Sequence, residues 1–202
     1  TWHGQDQVSF FQIAYSLAIL THLIALPMGF AMLPRLTRLI SADEASQQTA
    51  RQLVRNAGTL LIGLGSLTFA LYWAAGDIIL NLLGPDYGSQ WNVLMIIAAG
   101  VIFDVHRTLI DQLFMASRHV AYVAWSEIAR YVVLITVACW SIPNWGVVGA
   151  AVAVSASMLV NFLAKLIGAN KRVIDEKMPH LASLLTDDLA AAIGQGGLVI
   201  AA

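Results

Sequence analysis

Long apolar stretches separated by short polar segments make up most of the chain. A helix that spans a bilayer needs about 20 consecutive, mainly apolar residues. Five stretches reach that length, and they cover residues 8–33, 57–83, 91–115, 120–140 and 147–166. A further apolar run begins at residue 189 and is still unfinished at residue 202. The pattern predicts an all-α, polytopic transmembrane helical bundle with five complete spans and the start of a sixth.

The polar segments between these spans predict a surface helix, two tight turns and a loop. Residues 35–56 combine charges with spaced apolar positions, which favours an amphipathic linker helix at the membrane surface that runs into the next span. Glycine and proline predict tight turns at 84–88 and 142–146, and residues 168–188 predict a polar loop. Pro27 lies inside the first span, where a membrane helix tolerates it as a kink.

The basic residues predict an orientation. Of the 11 lysines and arginines, 9 follow the first, third and fifth spans: Arg35, Arg38, Arg51, Arg55, Arg118, Lys165, Lys171, Arg172 and Lys177. The alternate loops contain none. Because short loops rich in Lys and Arg stay in the cytoplasm, we expect the linker 35–56, the turn 117–119 and the loop 168–188 to be cytoplasmic.

Composition narrows the class of protein. Hydrophobic residues make up 58% of the chain and charged residues 11%, against about 25% charged in a typical soluble domain. A net charge of -1 gives no indication of nucleic-acid binding. With one cysteine, Cys139, and no metal-ligand spacing, P-loop or catalytic triad, we expect no metal, no cofactor and no enzymatic activity.

Residues 1–7 do not resemble a signal peptide, and we expect the chain to be part of a longer protein.

Ionisable residues interrupt the third and fourth spans, and they are Asp104, Arg107, Asp111, Glu127 and Arg130. Within each span they are three or four positions apart, so each set lies on one face of a helix. Because the connection 117–119 is short, we expect the two helices to be antiparallel neighbours with these faces in contact. An unpaired charge at the bilayer centre costs about 2.5–3.5 kcal/mol or more, so the charges must be paired or hydrated.

Two interpretations of these charges remain open. In the first, they form a structural ion-pair latch between two helices. In the second, they line a water-filled cavity and contact a polar or anionic substrate, or carry coupled protons. His22, one helical turn before Pro27, is typical of a hydrogen-bonded packing residue, with a cavity or proton role as the alternative.

Four segments carry a family resemblance: LPRLTRL at 33–39, IILNLLGPDYGSQ at 78–90, LFMASRH at 113–119 and IPNWGVVGAAVAVSASMLVNF at 142–162. In their order and spacing they resemble the polysaccharide-biosynthesis, or oligosaccharide flippase, family of the multidrug/oligosaccharidyl-lipid/polysaccharide exporter superfamily. The resemblance covers residues 8–166. It implies two six-helix lobes around a central cavity that works by alternating access, with this chain as one lobe, the C-terminal one.

The resemblance also implies a function. Such a protein translocates an undecaprenyl-diphosphate-linked oligosaccharide, for example a lipopolysaccharide O-antigen precursor, across the bacterial inner membrane. Its partners would be the lipid-linked substrate, membrane lipids, and a polysaccharide polymerase or other assembly proteins. The family shares no charged motif that can be matched to residues of this sequence. We therefore choose Arg107 and Arg130 as the residues that would bind the diphosphate, because arginine is always charged and can bind two phosphate oxygens at once. The three carboxylates would position these arginines or take up protons.

Two other functions are alternatives to that of a flippase. A drug/cation antiporter of the same superfamily would use an acidic centre, in which Asp104, Asp111 and Glu127 dominate. A membrane-embedded glycosyltransferase or polymerase would need a catalytic carboxylate near a large extramembrane loop. The predicted outer loops are only a few residues long, which disfavours this last class.

Overall fold

A computed structural model of the chain describes residues 5–40, 42, 44–84 and 87–169. Six α-helices and one short 3-10 segment, Tyr87–Gln90, account for nearly all of them. The α-helices are α1 Gln5–Ile19, α2 His22–Ile40, α3 Glu44–Leu83, α4 Trp91–Ala116, α5 Val120–Trp145 and α6 Val147–Gly168. No strand occurs within these ranges, and the prediction of an all-α bundle is confirmed.

Five of the six helices are long and apolar enough to cross a membrane. They are α2 to α6, whereas the apolar part of α1, Val8–Ile19, is shorter. Many of their large apolar side chains, such as Leu67 and Ile135, point away from the rest of the bundle. Outward apolar side chains on long helices are typical of contact with lipid. The protein is therefore a multi-pass membrane protein.

The first predicted span, 8–33, is divided into α1 and α2 by a break at residues 20–21 and not by a kink at Pro27. The Tyr72 hydroxyl donates a hydrogen bond of 2.5 Å to the Leu17 carbonyl, which also accepts the backbone N–H of Leu20. In a continuous α-helix the Leu17 carbonyl would instead accept a hydrogen bond from the backbone N–H of the residue four positions later. Because Tyr72 lies on α3, the segment's own sequence could not indicate the break.

Residues 44–56 form the first part of the 40-residue helix α3, which no proline interrupts, so this polar segment runs directly into the second span. One other boundary differs from the predictions. Helix α5 continues through Pro143, and the chain turns at Gly146, whose φ of 57° glycine adopts at little cost. The predicted loop 168–188, beyond its first two residues, and the predicted further span 189–202 lie outside the described residues.

Helix α4 lies at the centre of the bundle. Most of its residues are buried, and it packs against α1, α2, α3 and α6. Helix α5 packs mainly along α6 and much less along α4. The charged faces of α4 and α5 do meet, since Arg107 of α4 and Glu127 of α5 form an ion pair of 2.6 Å. Along the rest of their length α6 is the main neighbour of both helices. The central position of α4 places its charged face where α2, α5 and α6 can all reach it.

Small residues allow the close approach of α6 to its two neighbours. Ser155 of α6 donates a 2.7 Å hydrogen bond to the Ile96 carbonyl of α4, and a Cβ at Gly100 would lie 2.8 Å from the Ser155 backbone. On the other side, Tyr122 of α5 donates a 2.6 Å hydrogen bond to the Ala164 carbonyl. These contacts hold α4, α5 and α6 together along their length.

Candidate functional site

All six residues predicted from the sequence lie together in the bundle, joined by a seventh from α6. This charged cluster consists of His22, Asp104, Arg107, Asp111, Glu127, Arg130 and Lys165. It contains three carboxylates and three permanent cations, so its net charge is zero while His22 is neutral. Each charge has an opposite charge within 4 Å, as a low-dielectric interior requires.

Four of these residues form a closed ring of alternating charge, here called the charge ring. Arg107 Nη1 lies 2.9 Å from Asp111 Oδ2 and 2.6 Å from Glu127 Oε1. Lys165 Nζ lies 2.7 Å from Asp111 Oδ1 and 2.7 Å from Glu127 Oε1. Each cation therefore bridges the same two carboxylates, and the ring ties α4, α5 and α6 together.

Lys165 was expected in a cytoplasmic loop, and the structure corrects that assignment. Helix α6 extends to Gly168, and the Lys165 side chain is fully buried instead of reaching toward the membrane surface. Asn161, one turn earlier on the same face, donates a 3.0 Å hydrogen bond to Glu127 Oε1. The spacing of Asn161 and Lys165, four positions apart in an apolar run, was the signal that could have identified this polar face.

Asp104 connects the charge ring to α2. Its Oδ1 accepts a 2.7 Å hydrogen bond from Arg107 Nε and lies 3.7 Å from Arg130 Nη1. Its Oδ2 lies 3.0 Å from His22 Nε2. His22 is thus part of the charged cluster, and the break between α1 and α2 positions it there because α2 begins at this residue.

The two arginines differ in how firmly they are held. Arg107 contacts all three carboxylates at 2.6 to 2.9 Å. Arg130 contacts Asp104 at 3.7 Å and Glu127 at 3.6 Å, and its buried Nε has no hydrogen-bond partner among the described residues. Arg107 is therefore held firmly by three carboxylates through Nε and Nη1, whereas Arg130 keeps at least its Nε donor for another acceptor.

The cluster is closed toward α6 and more open toward α5. The Lys165 and Asp104 side chains are 0% and 4% exposed, whereas those of Arg130 and Glu127 are 17% and 28% exposed. The Arg107 and Asp111 side chains of α4 lie between these values, at 15% and 12% exposed, so Glu127 of α5 is the most open member of the ion-paired groups. Among the described residues no group of three or more His, Cys, Asp or Glu side chains could hold a metal ion.

The charged cluster lies well inside the predicted membrane spans. At 1.5 Å per residue, Arg107 is about 13 Å from the end of α4 at Ala116, and Glu127 is about 10 Å from the start of α5 at Val120. Both distances are a third or more of a hydrocarbon core of about 30 Å. The two charges therefore meet at matching depth.

Comparisons of the chain with protein-family models, with curated proteins and with solved structures find no match. The resemblance of residues 8–166 to the oligosaccharide flippase family therefore stays a prediction, and function is argued from the charged cluster.

Proposed function

We propose that this chain is one lobe of a flippase that moves an undecaprenyl-diphosphate-linked oligosaccharide across the bacterial inner membrane by alternating access. The observation that supports the proposal is the loose pairing of Arg130: its nearest carboxylates are 3.6 and 3.7 Å away, and its Nε has no hydrogen-bond partner among the described residues. A permanent cation with free donors at membrane depth suits a permanently ionised ligand.

The chemistry of the substrate explains why such a residue is needed. A diphosphate and its attached sugars would lose their hydrogen bonds to water in about 30 Å of hydrocarbon. A protein wall that offers charged donors replaces that hydration. Arginine binds phosphate oxygens in pairs through its planar guanidinium group. Arg130 would supply this contact, and the lipid tail would remain outside against the apolar helix surfaces.

Arg107 has a different role in this proposal. Its guanidinium already contacts Asp104, Asp111 and Glu127. Releasing it to a substrate would leave three carboxylates, two of them buried, with fewer partners, which is costly. We therefore assign Arg107 to bracing the helices and Arg130 to substrate contact. The latch and the cavity wall are then two parts of one cluster.

Arg130→Gln in the complete protein is expected to lower the amount of polysaccharide at the cell surface about tenfold or more. The reason is that a charge-assisted hydrogen bond contributes about 1.5–3 kcal/mol, and each 1.4 kcal/mol is a factor of ten in affinity. Surface polysaccharide is measured by immunoblot in cells that depend on the protein. Arg118→Gln, the same change at the exposed turn between α4 and α5, is the matched control. Unchanged surface polysaccharide with Arg130→Gln, at normal protein levels, would contradict the proposal.

The second candidate function is a drug/cation antiporter, which the exposure of Glu127 favours, since its side chain is the most exposed of the ion-paired groups in the charged cluster. In that case Glu127→Gln would abolish export of a cationic dye, and Arg130→Gln would leave export intact. The flippase proposal expects no dye export by the wild type. One dye-efflux measurement on the two variants therefore separates the candidates.

A further inference from the structure

His22 is a buried histidine that contacts a carboxylate through one ring nitrogen and has no hydrogen-bond partner at the other in the described part of the chain. The residue is 7% exposed, and its Nε2 lies 3.0 Å from Asp104 Oδ2. Both ring nitrogens are buried and neither makes a hydrogen bond of good geometry among the described residues, but only Nε2 lies close to a charged group, and Nδ1 has no polar neighbour of this kind. Because Nε2 faces a carboxylate, it carries the hydrogen of the neutral ring. Nδ1 then carries an unshared electron pair and can accept a proton.

The surroundings of His22 determine what a proton there would do. Asp104 of α4 is the ionisable side chain at ion-pair distance from it in the described part of the chain. Arg107 of α4 and Arg130 of α5 reach the same carboxylate through Oδ1, and Lys165 of α6 is engaged by the charge ring. His106 of α4, the other buried histidine among the described residues, packs against the Phe162 ring. A proton on His22 would therefore act first on Asp104.

The charge balance of the cluster links this proton to an anion. With His22 neutral, three carboxylates offset three cations. An anion that draws Arg130 to itself would take one cation from Asp104 and Glu127 and leave the cluster with an excess negative charge. A protonated His22 supplies a replacement charge 3.0 Å from Asp104, and a pair of opposite charges in a low-dielectric interior is strongly favoured over an unpaired charge.

We propose that His22, Asp104 and Arg130 form a site that binds one proton and one anionic phosphate group together, the proton on His22 and the phosphate on Arg130. The phosphate group as ligand rests on the proposed function. The proton comes from water and is added at Nδ1, with no bond broken in the ligand. Binding of either ligand strengthens binding of the other, because the coupling between two sites is reciprocal.

The test uses the complete protein in nanodiscs and a short-chain polyprenyl-diphosphate-linked monosaccharide. This probe is a diphosphate diester, so its own charge does not change between about pH 5 and pH 8, where histidine side chains in general change charge. Calorimetry in buffers of different ionisation enthalpy gives the affinity and the number of protons taken up. The wild type is expected to take up about one proton, and its affinity to fall by up to about tenfold per pH unit as the pH rises.

Variants assign the proton to His22. His22→Gln is expected to bind the probe with no pH dependence, whereas His119→Gln, at the turn between α4 and α5, is expected to behave like the wild type. The inference is overturned if the wild type takes up no proton, a measurement that needs no variant, or if His22→Gln keeps the pH dependence. If Arg130→Gln binds the probe as tightly as the wild type, or if nothing binds the probe, the proposed function fails as well. If the wild type binds the probe tightly without pH dependence, and Arg130→Gln weakens this binding, the inference about the proton is wrong and the proposed function is still supported.

Discussion

Lys165→Met is expected to destabilise the bundle by about 3–5 kcal/mol, the usual cost of removing one partner from a buried ion pair. Methionine is unbranched and keeps most of the length of the side chain, and it removes the charge. The charge ring would then hold Asp111 and Glu127 against Arg107 alone, with one carboxylate uncompensated. The free energy of unfolding can be measured by titration with sodium dodecyl sulfate in mixed micelles.

Two further variants test whether the loss arises from the charge ring. Arg118→Met removes an exposed cation outside the ring and is expected to change the free energy of unfolding by less than about 0.5 kcal/mol. Lys165→Met combined with Asp111→Asn restores the balance of charge and is expected to recover most of the stability lost in Lys165→Met. Additive losses in the double variant would show that Lys165 does not act through Asp111.

Gly149→Ala is expected to destabilise the bundle by about 3 kcal/mol or more, at the upper end of the usual cost of overpacking. A Cβ at this position would collide with the backbone of Ser141 and lie 2.9 Å from the backbone nitrogen of Ile142. Backbone atoms cannot rotate away as a side chain can. The hydrogen bond of 2.8 Å from Ser141 Oγ to the Gly149 carbonyl would also be distorted. Unfolding in mixed micelles again provides the measurement.

Gly63→Ala is the matched control for this steric prediction. Gly63 also lies inside a long helix, but no atom lies within 4 Å of the position that its Cβ would occupy. Alanine there is expected to be neutral or to stabilise α3 by up to about 1 kcal/mol, since it removes backbone freedom from the unfolded chain. Equal effects of the two substitutions would mean that α5 and α6 do not approach as closely at Gly149 as the structure has them.

The helical class of the fold could be predicted because each span is encoded locally. Runs of about 20 apolar residues predict membrane helices without knowledge of their neighbours, and α4 begins and ends within one residue of the predicted span 91–115. The break between α1 and α2 could not be predicted in this way. It depends on Tyr72, which is 55 positions from its acceptor Leu17.

The candidate site was predictable in its members but not in its arrangement. Ionisable residues in apolar runs are costly, so their mutual pairing follows from energetics. Which residue pairs with which depends on the packing order of the helices, and that order places α6 against both α4 and α5. Lys165 was missed because its position near the end of a span is typical of a side chain that reaches the interface. Its burial follows from Asp111 and Glu127, on two other helices.

The charge ring also determines how the bundle responds to the electric field across a membrane. Moving one elementary charge across the full potential involves about 2.3 kcal/mol per 100 mV. The four side chains of the ring carry two positive and two negative charges, so they sum to zero. A movement that carries the ring as a unit along the membrane normal therefore transfers no gating charge, and the field does no net work on it. Voltage can act on such a movement only through a charge outside the ring or one that binds to the protein.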